Sequence, residues 1–132
     1  MNKTPVETVA AHYAASQRVD VKAMMADVSP TARWTEMAGF ACAGTWIGPE
    51  EIVRNVFEVL GRDWIDYRFE LESLIDGGDR VVAIGTYRAT HRTTGRPLAA
   101  RVAHAWTVAD GKVVAFEQFT DTLLVARAAG EG

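Results

Sequence analysis

The sequence predicts an α+β fold: a cone-shaped α+β barrel in which three N-terminal helices pack on a strongly curved, mostly antiparallel sheet. Helix-start signals fall in the first half of the 132-residue chain, where prolines follow capping positions. From residue 67 onwards, β-forming residues alternate with polar ones, and glycine-containing turns separate the runs. The length suits one hydrophobic core, so we expect a single domain over residues 1–132.

Three helices are predicted before the main run of strands. The first begins at a Thr4-Pro5-Val6-Glu7 capping box and runs to about Arg18. Asp20 caps a short second helix, and a third covers 49–61, from a proline to a glycine. Helical spacing gives the expected inner stripe of the first helix: Val6, Val9, Ala10, Tyr13 and Gln17.

Five strands are predicted. The first covers 31–36, and the segment 37–48 after it is expected to be a loop because it is rich in small residues. The other four form an antiparallel meander because tight turns separate them. Their predicted ranges are 67–75, 80–90, 97–108 and 113–122.

Side chains alternate across a strand, so a few bulky residues fix which face points inwards. On 97–108 the bulky set is expected to face the helices, which places His104 inside between Val102 and Trp106. On the first strand, Trp34 and Glu36 share a face. This alternation puts a histidine and a glutamate on the walls of one pocket.

The last strand permits two orientations. One face carries Phe116, Gln118 and Thr120, and the opposite face carries two carboxylates, which favours placing the first face inside. A bulge near the end of the strand would instead bring Asp121 inwards.

Four polar side chains therefore fall on segments that surround one apolar pocket: Tyr13, Glu36, His104 and Gln118. Burying an unpaired polar group costs ~1–3 kcal/mol. A short chain with one core rarely buries such groups without a function for them, so these residues are the candidates for chemistry.

Composition excludes several classes of protein. The net charge is −3 and the basic residues are scattered, which argues against nucleic-acid binding. No apolar run approaches the ~20 residues of a membrane span, and the N-terminus lacks the apolar stretch of a signal peptide. We therefore expect a cytoplasmic protein that binds neither nucleic acid nor membrane.

Metal and cofactor chemistry is not expected. Cys42 is the only cysteine and is interpreted as a small apolar filler. The three histidines, His12, His91 and His104, fall on separate predicted elements, so no metal site is expected. No glycine-rich phosphate loop follows a strand, so no nucleotide cofactor is expected.

Two segments carry a resemblance to a known family. The stretch 104–113, from His104 to Val113, resembles the penultimate hairpin of the nuclear transport factor 2-like superfamily, and Phe119-Thr120-Asp121-Thr122 resembles an ending common among its SnoaL-like members. Over about 6–125, the chain resembles the branch that contains SnoaL-like polyketide cyclases and ketosteroid isomerases. These motifs specify the fold better than the activity, because the fold hosts unrelated functions.

The resemblance implies roles for three residues. Tyr13 matches the oxyanion-hole tyrosine of ketosteroid isomerase, Glu36 its catalytic aspartate, and His104 its protonated oxyanion-hole aspartate. Glutamine stands at Gln118, where polyketide cyclases and limonene epoxide hydrolases have an aspartate. Val102 and His104 replace the epoxide hydrolases' arginine and aspartate, which argues against epoxide hydrolysis.

The expected function is that of a cofactor-free enzyme acting on a small apolar carbonyl compound by isomerisation, cyclisation or elimination. Glu36 would remove a proton, while Tyr13 and His104 would stabilise the enolate oxygen. Two alternatives stay open: a ligand-binding protein without turnover, and a structural homodimer. The residues expected to contact the ligand are Trp34, Phe40, Phe57, Trp106, Phe116, Gln118, Thr120 and Asp121.

A homodimer is expected in any of these cases. The resemblance implies an interface on the outer face of the sheet, where the small residues Ala99, Ala103 and Ala105 permit close packing.

Overall fold

The computed structural model describes residues 3–131, so the ends of the predicted 1–132 domain lie outside the described residues. The helices are α1 (Pro5–Gln17), α2 (Val21–Met24), α3 (Gly48–Ile52), α4 (Glu58–Asp63) and α5 (Thr122–Ala128), with a π-helical segment (Val53–Phe57) between α3 and α4. The strands are β1 (Val28–Glu36), β2 (Gly44–Ile47), β3 (Trp64–Gly77), β4 (Arg80–His91), β5 (Pro97–Ala109) and β6 (Lys112–Thr120).

One curved sheet contains all six strands in the order β2-β1-β6-β5-β4-β3. Only the β1–β6 pairing is parallel among these strands, and the register shifts at points on β1–β6, β3–β4 and β5–β6. Such irregularities bend strands and increase their twist. The predicted α+β class with helices on a curved, mostly antiparallel sheet is confirmed, although the sheet stays open instead of closing into a complete barrel.

Helix α1 begins as predicted, but its inner stripe differs. Glu7 N–H donates to Thr4 Oγ1 over 3.2 Å, and Thr4 N–H donates to Glu7 Oε1 over 2.8 Å. Ala10 and Gln17 are exposed, whereas Thr8 and His12 are buried beside Val9 and Tyr13. The prediction for Ala10 was wrong because the buried face is centred on the 8–9–12–13 row. Gln17, the last residue of the helix, is exposed but borders the cavity described below.

The third predicted helix is longer and less regular than expected. It continues unbroken through α3, the π-helical segment and α4, and it passes Gly61 before ending at Asp63. A π-turn accommodates one extra residue compared with an α-turn. Val56 and Phe57, which are adjacent in this segment, both line the interior cavity described below.

Two elements were missed. Strand β2 lies within the predicted loop 37–48 and pairs with β1, with Trp34 opposite Trp46. Helix α5 begins where the last strand was expected to continue: Leu124 N–H donates to Asp121 Oδ1 over 3.1 Å, so Asp121 caps a helix. Helix α5 was not predicted because its first residues include β-branched side chains, which favour strands.

The strand faces follow the predicted alternation. On β5 the inward residues Leu98, Val102, His104, Trp106 and Val108 are all buried. The apolar residues among them belong to one cluster that also includes residues of α1, β1 and α5. None of the described helices is both long and apolar enough to cross a bilayer.

Candidate functional site

A cavity of about 790 Å³ lies between the helices and the concave face of the sheet. Its walls come from α1, α2, β1, the π-helical segment, α4 and β3, with Val19 and Arg92 from the connecting segments. Strands β4, β5 and β6 contribute one side chain each: Tyr87, His104 and Phe116. Six of the predicted site residues line it: Tyr13, Trp34, Glu36, Phe57, His104 and Phe116. Aromatic rings make up much of this lining, which suits a flat, ring-bearing ligand.

His104 lies between two tyrosines. Its Nδ1 is 2.6 Å from the Tyr13 hydroxyl oxygen, and its Nε2 is 2.6 Å from that of Tyr87. Burial is the main cause that holds the pKa of His104 well below its usual value, and the nearby His12 adds to it. The imidazole is therefore neutral at pH 7, and neither ring nitrogen is free to bind a ligand directly.

Two further side chains fix the tyrosine oxygens. Trp106 Nε1–H donates to the Tyr13 hydroxyl over 2.9 Å, and Gln118 Nε2–H donates to the Tyr87 hydroxyl over 2.8 Å. Met37 N–H donates to Gln118 Oε1 over 3.1 Å, which sets the orientation of the amide because a backbone N–H can only donate. Trp106 and Gln118 thus support the site from beneath its lining.

Glu36 is 4% exposed and lies at the end of β1. The Cys42 thiol lies 3.7 Å from its Oε1, whereas Oε2 has no hydrogen-bond partner among the described residues. Burial raises the pKa of Glu36 to about 8, an effect that contacts with Cys42 and then Trp34 partly offset. A carboxyl group poised near neutrality can release and recover a proton at ordinary pH.

Three buried side-chain atoms within residues 3–131 lack a hydrogen-bond partner: Trp34 Nε1, Glu36 Oε2 and Tyr67 Oη. All three belong to residues that line the cavity. Unpaired buried polar atoms are rare in native proteins and call for an explanation. Trp34 lies close enough to Glu36 to lower its pKa, and the Tyr67 and Tyr87 hydroxyls affect each other's pKa, but neither contact is a well-formed hydrogen bond. A ligand with its own donor and acceptor groups would complete these bonds.

His12 also borders the cavity. The sequence analysis assigned it no role. Its Nδ1 lies 3.1 Å from the Met24 carbonyl oxygen, which can only accept, so Nδ1 carries the proton. Burial lowers the pKa of His12 to about 4, with the bond to Met24 opposing that change. His12 is therefore neutral at pH 7, with an unprotonated Nε2.

The other predicted ligand contacts do not line the cavity. Phe40 and Trp106 are buried behind it, and Phe40 packs 5.7 Å from Tyr87 between ring centroids. Thr120 is partly buried and donates to the Arg101 carbonyl oxygen over 2.8 Å. Asp121 is exposed as the α5 cap, so the open choice for the last strand resolves with Gln118 inside and Asp121 outside.

Sequence reasoning missed two tyrosines of the cavity. Tyr87 and Tyr67 both line it, and with Tyr13 they account for all three tyrosines of the chain. The alternation of Tyr67, Phe69 and Leu71 on β3 indicated an inward row, but no comparable pattern marked the face of β4 that carries Tyr87. The pairing of Tyr87 with His104 depends on strand register, which the sequence does not display.

The described residues contain no group of three or more His, Cys, Asp or Glu side chains arranged to hold a metal ion. The polar groups on the buried part of the cavity wall are chiefly a carboxyl, three phenols, two indoles and two neutral imidazoles. The lining also includes four exposed charged residues: Asp66, Arg68, Glu70 and Arg92. Such groups donate, accept and transfer protons.

Residues 9–116 match the SnoaL-like domain family. A crystal structure of an NTF2-like protein from Burkholderia thailandensis is 57% identical, with a TM-score of 0.95 over 96% of this chain and 98% of that one. TerC, co-crystallized with polyporic acid, is 24% identical, with a TM-score of 0.85 over 96% of this chain and 98% of that one.

A protein from Catenulispora acidiphila with a ketosteroid isomerase-like fold, in complex with trimethylamine, is 17% identical. Its TM-score is 0.82 over 98% of this chain and 96% of that chain. TerC and the Catenulispora protein show likeness of fold alone. No curated protein matches the chain.

Proposed function

The chain belongs to the SnoaL-like domain family, and we propose that it is a cofactor-independent enzyme that performs acid–base chemistry on a small, ring-bearing carbonyl compound. The observation that carries the proposal is Glu36: a buried carboxyl group with one unpaired oxygen, on the wall of an aromatic cavity that also contains tyrosine hydroxyls. A base and a hydroxyl donor on one cavity are the two parts that enolisation needs.

The proposed reaction is the movement of a proton beside a carbonyl group. Ionised Glu36 removes a proton from the carbon next to the carbonyl, and the C–H electron pair moves into a new C=C bond while the carbonyl oxygen becomes an enolate. A tyrosine hydroxyl donates a hydrogen bond to that oxygen. Protonated Glu36 then returns the proton to the same carbon or to a conjugated one, which gives exchange or isomerisation with no net change in atoms.

Isotope exchange tests the proposal on any carbonyl compound that the cavity accepts. We would incubate the protein with a panel of cyclic ketones and enones in D₂O and follow deuterium incorporation by mass spectrometry. Exchange should increase as the pH rises through about 8, the pKa of Glu36, and it should disappear in Glu36→Gln. Glu58→Gln, which alters an exposed carboxylate on α4, is the matched control.

A ligand-binding protein without turnover is the second candidate. At pH 7 a carboxyl group with a pKa of about 8 is mostly protonated and can bind a ligand by hydrogen bonds alone. The trimethylamine and polyporic acid complexes of proteins with this fold support small-molecule binding in general terms. Unchanged ligand affinity in Glu36→Gln, with no exchange in wild type, would favour this candidate.

The remaining alternative is a purely structural homodimer, for which we would expect a pocket filled by side chains. A cavity of about 790 Å³ with unpaired polar atoms on its wall argues against that alternative. Dimerisation itself is compatible with either small-molecule role.

A further inference from the structure

The hydrogen bonds around His104 can be counted proton by proton. Trp106 Nε1–H and Gln118 Nε2–H each occupy one acceptor position, the first on the Tyr13 oxygen and the second on the Tyr87 oxygen. Neither indole nor amide N–H can act as an acceptor, so these two bonds have a fixed direction. What remains to be assigned is the pair of bonds between the imidazole and the two hydroxyls.

A neutral imidazole has one N–H and one bare nitrogen. One tyrosine must therefore donate its proton to the bare nitrogen, while the other accepts the imidazole N–H. The accepting tyrosine then has both acceptor positions filled, by His104 and by Trp106 or Gln118. Its own hydroxyl proton has no acceptor within this network.

The tautomer of His104 decides which tyrosine is left with that proton. With the proton on Nδ1, His104 donates to Tyr13, Tyr87 donates to Nε2, and the hydroxyl proton of Tyr13 is spare. With the proton on Nε2, the pattern reverses and the hydroxyl proton of Tyr87 is spare. Both tyrosines line the cavity.

We propose that His104 is a positioning residue whose tautomer selects Tyr13 or Tyr87 as the single hydroxyl donor to one oxygen atom of a cavity ligand. The inference rests on the proposed function for the presence of a ring-bearing carbonyl ligand. It specifies that Tyr13 and Tyr87 together donate to one acceptor oxygen of the ligand, since they hold one spare proton between them and not two. The unpaired Tyr67 hydroxyl is a separate donor.

The first test needs no ligand. Long-range ¹H–¹⁵N NMR correlations distinguish a protonated ring nitrogen from a bare one, and variants of His12 and His91 assign the three histidines. In Tyr87→Phe we expect the proton on Nδ1, where Tyr13 can accept it, because a buried N–H without an acceptor is rarer than an unused lone pair. In Tyr13→Phe we expect it on Nε2. Phe57→Leu, a cavity-wall substitution that removes no hydroxyl group, should leave the wild-type tautomer unchanged.

The second test uses 1-tetralone, whose only polar atom is a carbonyl oxygen, with tetralin as the oxygen-free control. Each single Tyr→Phe variant keeps one spare hydroxyl proton, so the affinity for 1-tetralone should stay within about threefold of wild type. The double variant should lose about tenfold or more, the usual effect of one unmade hydrogen bond to a buried group. Binding of tetralin should follow none of these changes.

Several results would overturn the inference. They are a doubly protonated His104 at pH 7, the same tautomer in both single variants, or independent losses of 1-tetralone affinity that add in the double variant. Wild type gives a check that needs no variant, since one ring nitrogen must be bare with and without 1-tetralone. If neither compound binds wild type, both the proposed ligand class and the proposed hydrogen bond from a tyrosine to the ligand are wrong. The tautomer measurements still decide whether His104 switches between the two tyrosines.

Discussion

The Cys42 thiol donates a hydrogen bond to Glu36 Oε1 across 3.7 Å within the wall of the cavity. The sequence offered Cys42 only as a small apolar filler. It is buried as expected, but it also contacts the carboxyl group on which the proposed chemistry depends. Burial is the main cause of the raised pKa of Glu36, and the thiol hydrogen bond partly offsets it, so the strength of that donor adjusts the pH at which the site works.

A matched pair of substitutions at Cys42 tests whether the thiol adjusts the pKa of Glu36. Cys42→Ala removes the donor and should raise the pKa of Glu36 above about 8, whereas Cys42→Ser supplies a stronger donor and should lower it. Carboxyl ¹³C NMR titration measures both values. If the two variants move the pKa in the same direction, the hydrogen bond is not what tunes Glu36.

The stability of the protein should depend on pH through Glu36. Its pKa rises from 4.5 to about 8 on folding, so between those values the folded state binds more protons than the unfolded one. The stabilisation is fully present below pH 4.5 and is lost as pH rises through about 8, at up to roughly 1.4 kcal/mol per pH unit.

Urea unfolding from pH 5 to 9 measures this effect as the difference between wild type and Glu36→Gln. The variant lacks the titrating group, so its relative stability should increase with pH. Parallel stability curves for the two proteins would contradict a raised pKa at Glu36. Glu58→Gln again serves as the control, because that carboxylate is exposed on α4.

Val19 is a strained residue at the mouth of the cavity. Its φ is 54° and its side chain is 83% exposed, a conformation that β-branched residues rarely adopt. Val19→Gly should relieve this strain and stabilise the protein by about 1 kcal/mol, which is roughly 3 °C in Tm for a chain of this size.

The control for Val19→Gly is Ala11→Gly, an exposed position inside α1. There glycine should destabilise by about 1 kcal/mol, because the backbone conformation is an ordinary helical one. Thermal unfolding should therefore show opposite shifts for the two glycine variants. A lower Tm for Val19→Gly would refute the strain.

We also propose that the outer sheet face forms a homodimer. Phe119 is 45% exposed on that face and lies opposite the small Ala103 in the β5–β6 pairing. A stable interface buries more than ~1,000 Å² in total, so a charge at its centre should disrupt it. Phe119→Glu should convert a dimer to a monomer in light scattering, while Val19→Glu, between α1 and α2, should not. A monomeric wild type at micromolar concentration would refute the interface.

The alternation of side chains along a strand predicted correctly which of the site residues on β1, β5 and β6 point inwards. His104 was placed from its bulky neighbours Val102 and Trp106, and Glu36 from Trp34, and both are buried as expected. Gln118 follows the same rule, because the carboxylate-bearing face of β6 is the exposed one.

The parts that depend on pairing between elements were not predictable in this way. Tyr87 meets His104 because β4 and β5 pair in one particular register, and that register is set by many contacts along both strands. Asp121 was misplaced for a local reason: the residues after it, Thr122 to Val125, include β-branched side chains that favour strands in isolation, yet an N-cap carboxylate and packing against β5 make them helical.

The parallel pairing of β1 with β6 has a consequence for the order of folding. Met37 N–H and Gln118 Oε1, whose bond links the carboxyl ends of these two strands, belong to residues 81 positions apart in the chain. Contacts between such distant segments form slowly because the intervening loop must first be ordered. During synthesis from the N-terminus, Glu36 therefore stays exposed to water until β6 (Lys112–Thr120) has left the ribosome and can pair with β1.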